Sequence, residues 1–191
     1  DRAVAGYERA REAVERMLSR VSDDLAYLPA MESLRQRLLE DAIELLGSIV
    51  AEGGAVAGAR APIELARAHT RAAELQALLG RSQEAAEAYA AARDTARKTF
   101  DQALASAAEP GPEAVVGLIQ ELEYGARLAR LLSAFGRYEE AESEVAATLE
   151  RLAAQRAHLP PGSEHQYSGR LRGTLGLVKL RRGDAKAGLA E

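Results

Sequence analysis

The chain has 191 residues, 25 of them basic and 29 acidic, with a formal net charge of −4 at pH 7. Because the two signs are mixed along the chain, it lacks the basic stripe that a phosphate backbone requires, and we expect no nucleic-acid binding. Cysteine is absent, which excludes disulfides and thiolate metal sites and fits a cytoplasmic location. No run of about 18 apolar residues occurs, so we expect no membrane insertion.

Alanine and leucine recur at helical spacing along most of the chain, which predicts an all-α fold. Residues 1–52 are predicted to form an N-terminal helical hairpin that ends at Gly53-Gly54, since glycine suits the left-handed cap of a helix. Residues 53–61 are rich in Gly and Ala, and we predict a linker there. Residues 62–191 follow as a series of paired helices.

The first helix after the linker is predicted to run from Pro62, whose missing N–H is harmless in a first turn, to Leu79. The next helix begins at Ser82, whose hydroxyl is expected to cap its N-terminus. This helix is predicted to run to about residue 107. Further helices are predicted at about 113–135, 138–157, 164–182 and from 184 onward. They are separated by Gly80, Pro110-Gly111-Pro112, Gly136, Pro160-Pro161-Gly162 and Gly183.

Three of these breaks, Gly80, Gly136 and Gly183, lie at equivalent points of a repeated pattern. An Ala-rich helix follows each of them. The residues at the same offsets after the first two glycines are Ala85, Tyr89 and Ala92, and Ala141, Val145 and Thr148. The small residues among them predict that the second helix of each pair packs closely against the first.

This pattern resembles the tetratricopeptide repeat (TPR), a helix–turn–helix unit of 34 residues. Leu128-Ala129 and Leu175-Gly176 match the residue pair that the family has ahead of its turn glycine, whereas Ala72-Ala73 matches only the second position. Two features depart from the family: the spacing between the glycines is longer, and the usual proline after the second helix is missing.

The resemblance implies a right-handed superhelical array of antiparallel helix hairpins, which is a TPR-like α-solenoid. Its repeats would cover about 62–107, 113–157 and, truncated, 164–191. The alternative is an irregular helical bundle in which three glycine turns coincide by chance.

A second resemblance concerns the string AVERMLSRVSDDLAYLPAMESLRQRLLEDAIELL, which is similar to the segment between the kinase domain and the TPR region of many bacterial serine/threonine protein kinases. The chain has no initiator Met and begins and ends within helical patterns, so we expect a fragment of such a longer protein. The residues that match the kinase-to-TPR segment are Arg20-Val21-Ser22, Leu34-Arg35, Leu38-Leu39 and Ala42.

The chain contains no kinase motif of its own, and we expect no enzymatic activity.

Few side chains are candidates for chemistry. His158, Glu164 and His165 could bind a divalent metal, but the two histidines are separated by a loop and their spacing is not preorganised, so we predict no metal and no cofactor. The resemblance places His69 at a position that packs inside the repeat, where it is expected to be a core or half-buried residue. Carboxylate pairs such as Glu139-Glu140 are expected to stabilise helix N-termini rather than to act as acids or bases.

The resemblance to TPR proteins also implies where binding occurs, because the first helix of each repeat lines a concave groove that receives a peptide or a helix. The Lys and Asn pair with which some TPR proteins hold chaperone tails is absent here. The candidate groove residues, transferred by offset, are Arg67, Thr70, Glu74, Glu123, Arg130, Arg170, Leu177 and Arg181.

These observations predict a protein–protein interaction module with a protein or peptide partner. Its parent would be a bacterial signalling protein, such as a serine/threonine kinase, of which this chain is a non-catalytic scaffold region. Two alternatives stay open: a structural module for homo-oligomerisation, and a small-ligand sensor domain with a pocket between its helices.

Overall fold

The computed structural model describes residues 33, 34, 36, 37, 40–44, 61–107 and 109–184. The regular structure in these residues is entirely helical, which confirms the all-α prediction. A 3₁₀ turn at Arg156–His158 precedes the last helix. The α-helices between residues 61 and 184 are α1 (Ala61–Leu78), α2 (Ser82–Ser106), α3 (Pro112–Ala134), α4 (Tyr138–Gln155) and α5 (Ser163–Arg182).

The helix limits agree with the sequence-based prediction to within about two residues, the usual uncertainty of such boundaries. The prediction that Ser82 caps α2 is wrong, because Ser82 is already the first helical residue and the cap residue, Arg81, makes no side-chain hydrogen bond there. Most of the predicted hairpin at 1–52 and of the linker at 53–61 lies outside the described residues. The same holds for Arg20-Val21-Ser22 and for the part of the last predicted helix beyond Asp184.

The turns after α1 and α3 and the end of α5 share one backbone geometry. Gly80, Gly136 and Gly183 have φ angles of +72°, +77° and +97°. In each case the residue after the glycine donates its N–H to the carbonyl four residues before the glycine, at 2.9 Å. This is the Schellman motif, which needs a left-handed residue that glycine adopts without strain. The three glycines therefore occupy structurally equivalent positions.

Neighbouring helices pack through small side chains. Each helix contacts the next one in the chain, and alternate helices also meet, since α1 touches α3 and α3 touches α5. The close packing predicted at the repeated offsets is confirmed, because all of these side chains are buried. They are Ala85, Tyr89, Ala92, Ala141, Val145 and Thr148.

Among the described glycines, the tightest approach is at Gly125, where α3 meets α4. A Cβ atom at this position would overlap the hydroxyl of Thr148, and the Thr148 methyl would lie 3.2 Å away. Thr148 is buried, and its hydroxyl donates to the Glu144 carbonyl at 2.8 Å, which fixes the side chain in place. The two helices can approach this closely because residue 125 has no side chain.

A helical stretch at residues 40–44 packs against the outer side of α1. Ala42 is buried in one cluster with Ala68 and Leu75. Glu40 accepts a hydrogen bond from Arg81 at 2.6 Å, which ties this stretch to the turn between α1 and α2. Among the described helices, none is both long enough and apolar enough to cross a bilayer.

We predict that Gly136→Ala destabilises the chain by about 1–2 kcal/mol, because alanine is strained in the left-handed region that this turn requires. The matched control is Gly169→Ala in α5, where the helical backbone is ordinary and the added methyl meets open space. The control is expected to stabilise the chain by about 0.5–1 kcal/mol. Urea denaturation followed by circular dichroism measures both, and shifts of the same sign would contradict the prediction.

We predict that Gly125→Ala destabilises the chain by about 1–3 kcal/mol through overpacking against Thr148. Thr148→Ala removes the overlapping atoms, so the double variant should be more stable than the sum of the two single effects implies. A double-mutant cycle from urea denaturation measures this coupling. Strictly additive effects would show that the two residues do not meet.

Candidate functional site

A groove runs between α1 and α3, which both pack against α2 and touch each other directly. It encloses a cavity of about 350 Å³. On each helix the lining residues recur at three- or four-residue spacing, which places them on one face. We call this the α1–α3 groove, and its lining residues are Arg67, Thr70, Arg71 and Glu74 from α1 and Gln120, Glu123, Tyr124 and Arg127 from α3.

A second, shallower cavity of about 300 Å³ continues this groove toward the C-terminal end of α3. We call it the distal pocket, and it is lined by Tyr89, Arg127, Arg130 and Leu131. Arg127 belongs to both cavities, so the two form one continuous surface. Tyr89 comes from α2 and is buried, which makes it part of the wall shared by α1, α2 and α3.

Several of the groove residues predicted from the sequence line these cavities. Thr70 differs from the others, because its side chain is only 6% exposed and its hydroxyl donates to the Ala66 carbonyl at 2.9 Å. It therefore belongs to the floor of the groove rather than to its rim. The predicted residues in the α1–α3 groove are Arg67, Thr70, Glu74 and Glu123, and Arg130 lies in the distal pocket.

The remaining predicted residues lie on α5. Arg170 is exposed and donates a hydrogen bond to Glu123 at 2.9 Å, so it reaches the groove through an ion pair with α3. Leu177 is half-buried and Arg181 is exposed. Neither of these two lines the α1–α3 groove or the distal pocket.

Other lining residues were not among the sequence-based candidates. Gln120 and Arg127 lie three residues before and four residues after Glu123, so the helical period around that residue was a signal for both. Tyr89 had no comparable signal. Its place in the distal pocket depends on how α2 packs beneath the other two helices, which no local pattern encodes.

Ion pairs cross the groove and link its two walls. Glu74 on α1 accepts a hydrogen bond from Arg71 and another from Arg127 on α3, both at 2.7 Å. At the entrance Arg67 pairs with Glu64 at 2.8 Å. These side chains keep roughly a quarter to a half of their surface exposed, so each pair contributes little to stability.

Arg130 differs from these arginines. Within the described part of the chain it makes no hydrogen bond and no ion pair. Partial burial, together with the neighbouring positive charges of Arg170 and Arg127, lowers the pKa of Arg130 below the ordinary arginine value. The guanidinium still carries its charge at neutral pH, because arginine is not deprotonated in proteins.

The floor of the α1–α3 groove is polar. Gln120 is 8% exposed, and its Oε1 has no hydrogen-bond donor among the described residues. Burial raises the pKa of Tyr124, whose hydroxyl stays neutral at physiological pH. Buried polar atoms without a partner are rare in proteins. A hydrogen-bond donor that enters this groove could pair with Gln120 after rotation of its amide.

The most buried carboxylate of the described residues lies on the other side of α3. Glu121 is 2% exposed and accepts hydrogen bonds from Arg97 at 2.7 Å and from Arg151 at 3.0 Å. Arg151 also pairs with Asp101 and lies over the Phe100 ring, 5.6 Å from its centroid. Glu121 lines neither cavity, and its contacts join α2, α3 and α4. The arrangement therefore holds helices together and does not present a reactive group.

None of the three histidines lines the α1–α3 groove or the distal pocket. His69 is half-buried, as predicted, and burial lowers its pKa below the ordinary histidine value. His158 packs edge-on against Phe100 with ring centroids 5.6 Å apart, whereas His165 is exposed on α5. Among the described residues, no group of three or more His, Asp or Glu side chains is arranged to hold a metal ion.

Comparison of the chain with known proteins identifies no relative. No protein-family model matches it, and no curated protein is significantly similar to it. The resemblance to TPR proteins therefore depends on the residues quoted above. The function has to be argued from the geometry of the groove and of the helices that carry it.

We predict that Glu121→Gln destabilises the chain by about 1.5–3 kcal/mol, because the charge-assisted hydrogen bonds that Arg97 and Arg151 donate to this buried carboxylate are weakened. The control is Glu140→Gln in the first turn of α4, where an exposed carboxylate pairs with Arg137. This control should leave the urea midpoint nearly unchanged. A similar small effect at Glu121 would show that the buried network does not hold the helices together.

Proposed function

We propose that this chain is a TPR-like α-solenoid that binds other polypeptides along the α1–α3 groove. The α1–α2 and α3–α4 hairpins turn at equivalent left-handed glycines, with the same hydrogen bonds. The corresponding small residues of α2 and α4 are buried alike. These shared features favour a repeated unit over an irregular bundle.

Contacts between alternate helices support side-by-side stacking of the hairpins. The first helices touch, α1 with α3 and α3 with α5. The second helices are joined by side chains, since Arg93 of α2 pairs with Glu144 of α4 and Asp101 of α2 pairs with Arg151 of α4. A hairpin that cannot bury its apolar face alone gains a core by stacking in this way.

The observation that carries the proposed function is the continuous groove formed by α1 and α3. Charges of both signs line it, and polar groups able to accept or donate hydrogen bonds lie on its floor. An extended polypeptide presents backbone N–H and C=O groups together with side chains, which match such a surface along its length. A catalytic or small-ligand site would need convergent ionisable groups, whereas the groove glutamates pair with arginines.

The parent protein belongs to the same proposal. The similarity to the kinase-to-TPR segment includes Leu34 and Ala42, and the described residues around them are helical. Ala42 packs on α1, so this segment is in contact with the first hairpin. We propose that the chain is a cytoplasmic, non-catalytic scaffold region of a bacterial signalling protein such as a serine/threonine kinase.

We predict that the 191-residue chain enriches binders from a displayed library of random short peptides. Arg67→Trp, which replaces an exposed arginine by an indole that fills the α1–α3 groove, should weaken binding of an enriched peptide by about tenfold or more, since such a side chain excludes any occupant. Fluorescence anisotropy with the labelled peptide measures the affinity of each variant.

The matched control is Arg156→Trp, which places the same exposed indole in the 3₁₀ turn away from the groove and should leave the affinity unchanged. Absence of any enriched peptide would refute the proposed function. Equal affinities for the wild type and Arg67→Trp would place binding elsewhere on the surface. Light scattering at several concentrations tests the alternative of homo-oligomerisation, for which the mass would rise with concentration.

A further inference from the structure

We propose that the distal pocket recognises a glutamate side chain of the bound polypeptide, with Arg130 as its ionic partner. This inference rests on the proposed function and specifies the chemistry of the partner. It follows from three features of the pocket: an arginine without a partner in the described chain, two apolar walls, and a position in line with the groove.

The first feature is the difference between Arg130 and its neighbours. Arg127 donates to Glu74 at 2.7 Å, and Arg170 donates to Glu123 at 2.9 Å. Arg130 has no such partner within the part of the chain that the structure describes. A guanidinium prefers a carboxylate, because its planar N–H groups match two carboxylate oxygens. An anionic side chain that enters the pocket would therefore complete this row of ion pairs.

The positive surroundings of Arg130 support the same sign of charge. Burial lowers the pKa of Arg130, and the positive charges of Arg170 and Arg127 lower it further, against the smaller opposing effects of Tyr89 and Glu123. An incoming carboxylate would offset this repulsion, whereas a lysine or arginine of the partner would add to it. The pocket thus attracts an acidic side chain of the partner and repels a basic one. Using both effects makes it selective between the two.

The walls of the pocket favour glutamate over aspartate. Tyr89 and Leu131 line it with an aromatic ring and an aliphatic side chain, beside the two arginines. The cavity, at about 300 Å³, has more room than a carboxylate alone requires. Glutamate has one more methylene than aspartate, and that methylene can pack on these apolar walls while the carboxylate reaches Arg130.

The position of the pocket fits a peptide that already lies in the α1–α3 groove. Gln120 and Arg130 are on one helix, and a rise of about 1.5 Å per residue separates them by roughly 15 Å along its axis. An extended chain covers this length with about five residues, at roughly 3.3 Å per residue. One short segment can therefore place a backbone N–H near Gln120 and a glutamate in the distal pocket.

The test uses the most enriched library peptide, labelled with fluorescein, together with versions whose glutamate is replaced by Gln, Asp or Lys. We expect the Gln version to bind the wild-type chain about tenfold more weakly, the usual effect of losing one charge-assisted hydrogen bond. The Asp version should fall between the two, and the Lys version should bind most weakly. Anisotropy titrations give the four dissociation constants.

The protein variant is Arg130→Gln, which changes an exposed side chain and should keep the fold, as circular dichroism can verify. It is expected to bind the Glu and Gln peptides with equal affinity. The control is Arg172→Gln, an exposed arginine that lies two residues after Arg170 and thus on another side of α5, which should retain the preference for Glu.

The outcomes separate this inference from the proposed function. Enriched peptides without glutamate, or a preference for Glu that survives in Arg130→Gln, would overturn the role of the distal pocket and leave polypeptide binding intact. Loss of the preference in both arginine variants would show a general charge effect and would also overturn it. Failure of the wild-type chain to enrich any peptide overturns the proposed function itself.

Discussion

The close approach of neighbouring helices, which small side chains permit, is the constraint on which the rest of this structure depends. Ala73, Ala85, Ala92 and Ala141 have no exposed surface, and Gly125 meets the side chain of Thr148 directly. Larger apolar residues fill the spaces between these contacts. Much of the apolar surface is buried between adjacent helices, and the face where α1 and α3 lie side by side carries mostly polar residues.

The two sides of α3 differ in how deeply their ion pairs are buried. On one side Glu121 is buried and accepts charge-assisted hydrogen bonds from Arg97 and Arg151, whose loss would be costly to stability. On the other side Glu123 pairs with the exposed Arg170, and Arg127 pairs with the half-buried Glu74. The same helix therefore has a buried ion-pair network on one side, at Glu121, and partly exposed ion pairs on the other, which solvent or a ligand can replace.

The helices and their turns could be predicted from the sequence because they depend on local features. The glycines at 80, 136 and 183 mark the turns, and the period of Ala and Leu marks the buried faces. The site was only partly predictable. Its arginines and glutamates on α1 and α3 follow a helical period, but the contribution of Tyr89 depends on packing between helices. The burial of Glu121 could not be foreseen either, because a glutamate in a charged sequence gives no sign of its depth.

The mixture of paired and unpaired charges explains how the groove could be selective without being rigid. Exposed ion pairs such as Arg71–Glu74 and Arg170–Glu123 contribute at most about 1 kcal/mol each, so a polypeptide can replace them at little cost. Exchanges of this kind are nearly neutral in free energy and discriminate poorly between partners. On the proposed function, selectivity would then come from groups whose state changes on binding: a guanidinium that gains its first partner, and apolar walls that lose water. In the described part of the groove, Arg130, Tyr89 and Leu131 combine these properties in one place.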